Sequence, residues 1–408
     1  MTEQKTGVAG IRDKILSGHS SALAETEARL RRIAEQDTKI EAWAFLDPDY
    51  AREQARGLDR AQADGATTGL LQGIPVGIKD IIDTADMPTE NGTVLHAGRR
   101  PGRDATVVSL LRQAGAVILG KTVTTELAVY TPGKTRNPHD PERTPGGSSS
   151  GSAAAVAAGM VPLALGSQTN GSVIRPAAFC GVVGYKPTHG AISRSGVLHQ
   201  SSALDHVGVF AGSVEDAALL ADVLMVYDAA DADMRPGAGP GLARFAAQEV
   251  PAPPRFAFAR TPIWKHGEPD AQAALEAFVK SLGAQAVETD LPAGFERAID
   301  LHRTILEPDL AVSFQAEYRR GKEQLSQRLR QMMESGEKIS AVAYQRALAE
   351  VPILNRLLDP LLDQFDAILA PATAGEAPRG LGSTGSPVFC TTWTLLGTPA
   401  ITLPTGTQ

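Results

Sequence analysis

Between Leu71 and Thr122 the chain passes through a short apolar, β-branched stretch, "LQGIPVGIKDIID", then "DATVVSLLRQAG" at helical spacing, then "AVILGKT". No other stretch narrows the fold as much. Apolar runs of this length suit strands buried on both faces, and Gly115 stands where a helix would end before the second run. Strand, helix, strand in this order predicts the α/β class.

The flanks are read around that core. Residues 7–63 carry Ile, Leu and Ala at helical spacing among many charges, as in "ALAETEARLRRIAEQ", and are expected to form an N-terminal helical layer, 1–64. The core block runs over 65–215 and closes where "SVEDAALLADVLMV" opens a helix on a Ser cap. Pro/Gly loops then lead into a mostly helical covering segment, 216–363, and "FDAILAPAT" and "WTLLGTPAITLP" within 364–408 read as returning core strands. We expect a single domain over 1–408. A hydrophobic fraction of 43% is enough to bury its core.

Charge and cysteine usage remove several function classes. A net charge of −7 offers no basic face to a phosphate backbone, so nucleic acid is not expected as a direct partner. Cys180 and Cys390 lie far apart without metal-ligand spacing, which argues against a disulfide framework and a zinc site. The start, "MTEQKTGVAG", has no basic segment leading into an apolar one, and no apolar run reaches the roughly 18 residues of a membrane span. The expectation is a soluble cytoplasmic protein with a small-molecule ligand and no membrane contact.

Three motif readings compete for the chemistry. "GAVILGKT", Gly115 to Thr122, satisfies the phosphate-loop pattern, yet its variable positions are Ala, Val, Ile and Leu, residues of a strand rather than of an anion-wrapping turn. Gly147 to Gly151 satisfies G-x-S-x-G around Ser149. A nucleophile elbow needs a strand before it, and "NPHDPERTP" cannot be a central strand, although His189, His199 and His206 follow in the required order. The third reading joins three separated pieces: "GIPVGIKDIID" with Lys79, "PGGSSSGSAAAVAAG" with Ser148, and "LALGSQTNGSVIRPAAFCGVVGYKPTHG" with Ser172.

These three blocks, in this order, resemble the amidase signature family, closest in motif to general bacterial and malonamidase-like amidases. The likeness is strong from about Gly73 to Asp216 and weaker at "TTWTLLGTPAITLP". It implies a mixed, twisted central sheet with helices on both faces. It also implies a Lys79, Ser148, Ser172 relay with a cis peptide between Gly147 and Ser148. Ser172 would attack an amide carbonyl, Ser148 would pass its proton on, and Lys79 would accept it. Burial that disfavours the ammonium suits Lys79 to that work, whereas a lysine elsewhere would simply snorkel to the surface. The amides of Thr169, Asn170, Gly171 and Ser172 are the oxyanion-hole candidates. Gly147, Ser149, Thr125 and Arg175 are the expected substrate-side residues, with Ser149 and Ser150 supporting the turn and capping the helix after it. Neither a metal nor an organic cofactor is called for.

Departures from the family pattern bear on specificity. Gln168 and Asn170 stand where many members have Asp and Gly, and Asn170 adds a polar handle beside the oxyanion. Arg175 either holds a substrate carboxylate bidentately or forms an internal ion pair that props the loop, and the internal role is the expectation. The chain stops at "ITLPTGTQ", where similar proteins carry a further "GLPxGxQ"-type stretch and a closing helix, so a truncated C-terminus is expected. The implied activity is hydrolysis of a carboxylic amide to acid and ammonia or amine. A carbamate or ester hydrolase remains an alternative, as does an amidotransferase A-type subunit; more remote is a nucleotide binder at Gly115 to Thr122. The sequence leaves room for a homodimer without fixing one.

Overall fold

The computed structural model describes residues 7–237 and 239–405, so the outermost residues of the expected 1–408 span lie outside the described residues. Among the described residues ten strands form two sheets: β1 Trp43–Leu46, β2 Pro75–Lys79, β3 Val117–Thr122, β4 Leu163–Gln168, β5 Val183–Lys186, β6 His206–Ala211, β7 Phe256–Ala259, β8 Ala286–Thr289, β9 Ala367–Leu369 and β10 Ala400–Thr402. The main sheet has the order β1-β3-β2-β4-β6-β5-β10. Its centre, β3-β2-β4, is parallel, and every outer pairing is antiparallel, which makes the sheet mixed.

Period-2 alternation distributes the strand side chains between two cores. Val76, Ile78, Ile118, Leu163, Leu165, Val207 and Val209 join one core with helices Thr106–Gln113 and Val214–Leu224. Val117, Leu119, Ala164 and Phe210 face the other, against helices Ala22–Ile40, Pro48–Ala63 and Ser150–Ala157. Both faces are therefore covered, and each fully buried Leu or Ile contributes about 1.5–3 kcal/mol. Helix Ser150–Ala157 is buried from Ser150 to Val156, which its small residues permit. At Gly151 a Cβ would stand 2.2 Å from the Ala42 carbonyl oxygen and 2.3 Å from the Val123 nitrogen, so only glycine lets this helix sit so close to the sheet.

Three expectations are corrected. The N-terminal layer is not purely helical: β1 lies between its helices and caps one edge of the main sheet against β3. The covering segment contributes β7 and β8 to a second, parallel sheet of order β8-β7-β9. "FDAILAPAT" forms β9 there rather than returning to the main sheet, because Asp366 is tied to the start of β7: its amide donates to the Arg255 carbonyl at 2.8 Å and its carboxylate accepts from the Arg255 amide at 2.7 Å. Of the last apolar run, only β10 pairs with the main sheet, while "WTL" closes helix Val388–Leu395. Short apolar runs do not distinguish buried helix from buried strand by periodicity.

The phosphate-loop reading is also overturned. Val117–Thr122 is a fully buried strand laddered to β1 and β2, so its amides are not free to wrap an anion. Gly115, at φ +83°, ends the preceding helix.

Candidate active site

Parallel strands deliver the site. Lys79 is the last residue of β2 and Gln168 the last of its neighbour β4, and the crevice beyond the carboxyl ends of parallel strands is where α/β sheets place ligands. Lys79 is fully buried and gives its two protein hydrogen bonds to hydroxyls, Ser148 Oγ at 2.6 Å and Ser167 Oγ at 2.8 Å. Burial holds its pKa well below the usual 10.5, against a smaller opposing pull from the Asp205 charge. The Gly147–Ser148 peptide is cis.

Ser148 and Ser172 meet through the backbone beside them: the Ser149 amide donates to the Ser172 carbonyl at 3.4 Å. Ser172 is 8% exposed, and among the described residues its hydroxyl makes no hydrogen bond within the chain. The loop that carries it has every carbonyl held. His302 Nε2 donates to Thr169 O at 2.9 Å, the Thr394 hydroxyl donates to Asn170 O, and the Arg175 amide donates to Gly171 O at 3.0 Å. Because C=O and the next N–H lie in one plane and point in opposite directions across a trans peptide, pinning these oxygens turns the amides of Asn170, Gly171 and Ser172 the other way. None of these three amides donates within the chain among the described residues.

Gln168 explains its own departure from Asp. Its Oε1 accepts from the amides of Val173 at 2.8 Å and Ile174 at 2.9 Å, as a carboxylate would. Its Nε2 then donates to Thr394 Oγ1 at 2.9 Å, a contact a carboxylate cannot make.

The other expected residues converge on the same turn, where their contacts are internal to the chain. Thr125 is buried, its hydroxyl on the Val129 carbonyl at 2.7 Å and its amide on the Ser148 carbonyl at 3.3 Å, so it braces the turn from behind. Ser149 occupies the N-cap position without capping: its hydroxyl donates to Ser167 O and accepts from Ser167 N, each at 3.2 Å, and thereby seams the turn to β4. Ser150 likewise donates to the Val123 carbonyl at 3.2 Å. Arg175 props the turn by donating to Gly147 O at 2.6 Å and Thr384 Oγ1 at 3.1 Å. It does so without the expected ion pair among the described residues, and its buried Nε and Nη1 have no partner. The elbow alternative has no strand ahead of Ser149, and His206 commits Nδ1 to the Leu204 carbonyl at 2.7 Å.

Sequence reading missed Ser167, whose only signal was a polar residue near the end of a buried run. It also missed a cavity of about 730 Å³ that reaches the nucleophile loop at Asn170 and is walled by Tyr130, His302, Arg328, Thr384 and Thr391. Asn170 is clamped there, with Nδ2 donating to the Tyr130 hydroxyl at 2.9 Å and Oδ1 accepting from Thr391 at 2.7 Å. The Arg328 guanidinium lies 5.5 Å from the Tyr130 ring centroid. These walls come from segments up to about two hundred residues away in the chain, so no local pattern announces them.

Among the described residues no cluster of His, Cys, Asp or Glu is arranged to hold a metal ion, and no helix is long and apolar enough to cross a membrane. The arrangement can pass a proton between hydroxyls and an amine, and it presents a hydroxyl beside unengaged amides.

Comparison with known proteins identifies the family and the fold. The native peptide amidase of Stenotrophomonas maltophilia is similar at 30% identity and a TM-score of 0.77, over 98% of this chain and 90% of that one. A chain from a vestigial protein complex connected with the origins of an s-triazine catabolic enzyme is similar at 29% identity and a TM-score of 0.90, over 97% and 90%. The A-type subunit of glutamyl-tRNA(Gln) amidotransferase from Thermobifida fusca is 47% identical over 238 residues, 57% of this chain and 48% of that protein. Its counterpart in Salinispora arenicola is 40% identical over 290 residues, 68% of this chain and 59% of that protein. These matches span about half to three-fifths of the relatives' length. The Amidase family profile covers residues 24–408, and with a matching fold and the three signature blocks in one crevice, the chain belongs to the amidase signature family.

Proposed function

We propose that this chain hydrolyses a carboxylic amide to acid and ammonia or amine through an acyl-enzyme on Ser172. The observation that carries the reading is the fully buried Lys79 amine 2.6 Å from the Ser148 hydroxyl, on a turn whose next amide bonds the Ser172 backbone. As Ser172 Oγ bonds the carbonyl carbon, its proton passes to Ser148 Oγ, and the Ser148 proton passes to Lys79 Nζ. The carbonyl electron pair moves to oxygen, facing the amides of Asn170, Gly171 and Ser172, and one such donor is typically worth about 2.7–4 kcal/mol of barrier. The proton returns to the leaving nitrogen as the C–N bond breaks, and water then hydrolyses the ester by the same route. Carbamates and esters would react by the same steps.

A second reading has one specific support: the relatives at 40–47% identity are A-type amidotransferase subunits. In that reading the ammonia released would be handed to a partner protein. The deciding experiment is a panel of primary amides, anilides, carbamates and esters with the isolated chain, alongside fluorophosphonate labelling. Turnover of simple amides and a label on Ser172 that Ser172→Ala abolishes are expected. A label that persists elsewhere in that variant overturns the nucleophile, and activity only after reconstitution with copurifying proteins favours the second reading.

A further inference from the structure

Asp205, just before β6, is a buried carboxylate that faces only donors. Its Oδ1 accepts from the Thr169 hydroxyl at 2.6 Å, and its Oδ2 accepts from the amides of Gln200 at 2.8 Å and Ser201 at 3.0 Å. Burial raises its pKa, and the three donors, with no acceptor among its hydrogen-bond partners, oppose that by favouring the ionised form. Two of its connections lead to the candidate active site. Thr169 opens the loop that carries Ser172, and Ser167, which holds the Lys79 amine at 2.8 Å, lines the same small enclosed cavity as Thr169 and Asp205.

The other titratable or charged groups around Asp205 do not supply this connection. His199 stands on its own segment and bonds Ser202 and Ser313 hydroxyls at 3.0 and 3.2 Å. Asp309, on helix Ala298–Ser313, is a like charge that takes the Tyr344 hydroxyl at 2.8 Å. Arg194 is spent on Asp231 and Asp233, and burial holds the pKa values of His206 and His302 below the usual imidazole range, which favours their neutral forms. Lys79 is left as the site cation on which the Asp205 charge acts.

We propose that Asp205 is a positioning residue with two effects: it is the buried counter-charge for the Lys79 ammonium formed when the proton relay is loaded, and through Thr169 it fixes the loop whose amides face the reacting carbonyl. A buried ammonium without a counter-charge is costly, so the loaded relay needs a fixed negative charge close by. This deepens the acyl-enzyme reading and rests on it.

The test uses the rate of fluorophosphonate labelling of Ser172 against pH, together with direct NMR titration of Lys79 in lysine-labelled protein. Asp205→Asn is close to isosteric. Its oxygen can still accept the two amides and its NH2 can donate to Thr169, so the charge is what is lost. We expect the Lys79 midpoint and the acid limb of the labelling profile to move to lower pH together, with labelling at neutral pH slowed at least tenfold. Thr169→Val keeps the charge, and is expected to slow labelling several-fold with the midpoint unchanged. Asp205→Ser, smaller and neutral, replaces Asp205→Asn if that variant does not fold. An unmoved Lys79 midpoint in the neutral variant overturns the counter-charge, and wild-type labelling in Thr169→Val overturns the loop-fixing effect. Wild-type protein that is not labelled on Ser172 overturns the acyl-enzyme reading instead, while the NMR midpoint still decides the charge.

Discussion

Two lysines lie at the carboxyl ends of neighbouring strands of one sheet, Lys79 last in β2 and Lys121 next to last in β3, and the fold treats them in opposite ways. Lys121 of β3, paired in register with Ile78, is fully buried, yet its amine has a carboxylate and two carbonyls around it: Asp80 at 3.6 Å, Ile82 O at 2.7 Å and Pro88 O at 3.4 Å, with Thr89 Oγ1 at 2.5 Å. Lys79 of β2 is equally buried and has two hydroxyls and a carboxylate beyond hydrogen-bond range. Burial pulls both pKa values down, Lys121 only to about 8. An ammonium held mainly by a carboxylate and two carbonyls, with a single hydroxyl beside them, is structural, whereas an amine whose two hydrogen-bond partners are both hydroxyls has groups with which it can exchange protons. The same residue type at the same depth is sorted by its partners.

The largest effect expected from breaking this contrast is on Lys79. Lys79→Ala should keep the fold and lower amide turnover or Ser172 labelling at pH 7 by about 10²–10⁴-fold, the usual worth of a general base. Lys121→Met should do the reverse: activity per folded molecule near wild type, and a stability loss on the order of 3–5 kcal/mol in denaturant titration, since Asp80 is left buried without its cation. Equal activity losses in the two variants would erase the distinction.

Ser167 sharpens the comparison next. Ser167→Ala removes one of the two hydroxyls that aim the Lys79 amine, and a roughly tenfold fall in labelling rate with unchanged Tm is expected. A fall in Tm with unchanged kinetics would make Ser167 a packing residue.

The smallest effect is on the pH dependence of stability. Lys121 titrates lower in the folded chain than unfolded, so between about pH 8 and the ordinary 10.5 the unfolded state binds more protons and the contribution of Lys121 to stability rises with pH. The slope is at most about 1.4 kcal/mol per pH unit. It should disappear in Lys121→Met and be seen by comparing denaturant midpoints across that window.

The helix after Gly147 and the parallel centre of the sheet were legible because each leaves a local pattern: a run of small residues, a pair of short apolar runs, a glycine between helix and strand. The Lys79, Ser148 and Ser172 blocks were legible by resemblance for a related reason, since each key residue, Lys79 at the end of β2, Ser148 just before helix Ser150–Ala157 and Ser172 on the loop after β4, stands among neighbours in the chain that carry the pattern. Ser167, Asp205 and the Tyr130, Arg328 and Thr391 walls were not. Their significance lies in pairs separated by tens to hundreds of residues, and a lone serine or aspartate carries no mark of its distant partner. The small sheet failed for the same reason, β9 being claimed by β7 through an Asp366 to Arg255 contact that periodicity cannot express.

What the sequence by itself determined was the α/β class and the three blocks that carry the candidate chemistry, because strand burial, helix spacing and turn residues are properties of contiguous chain. Tertiary structure alone decided that Arg175 holds the Gly147 carbonyl without an acid, that Ser149 bonds β4 instead of capping its helix, and which buried lysine sits between two hydroxyls rather than against a carboxylate and carbonyls. Protonation balance and hydrogen-bond direction depend on what stands within a few ångströms in space, and only the folded chain brings those groups together.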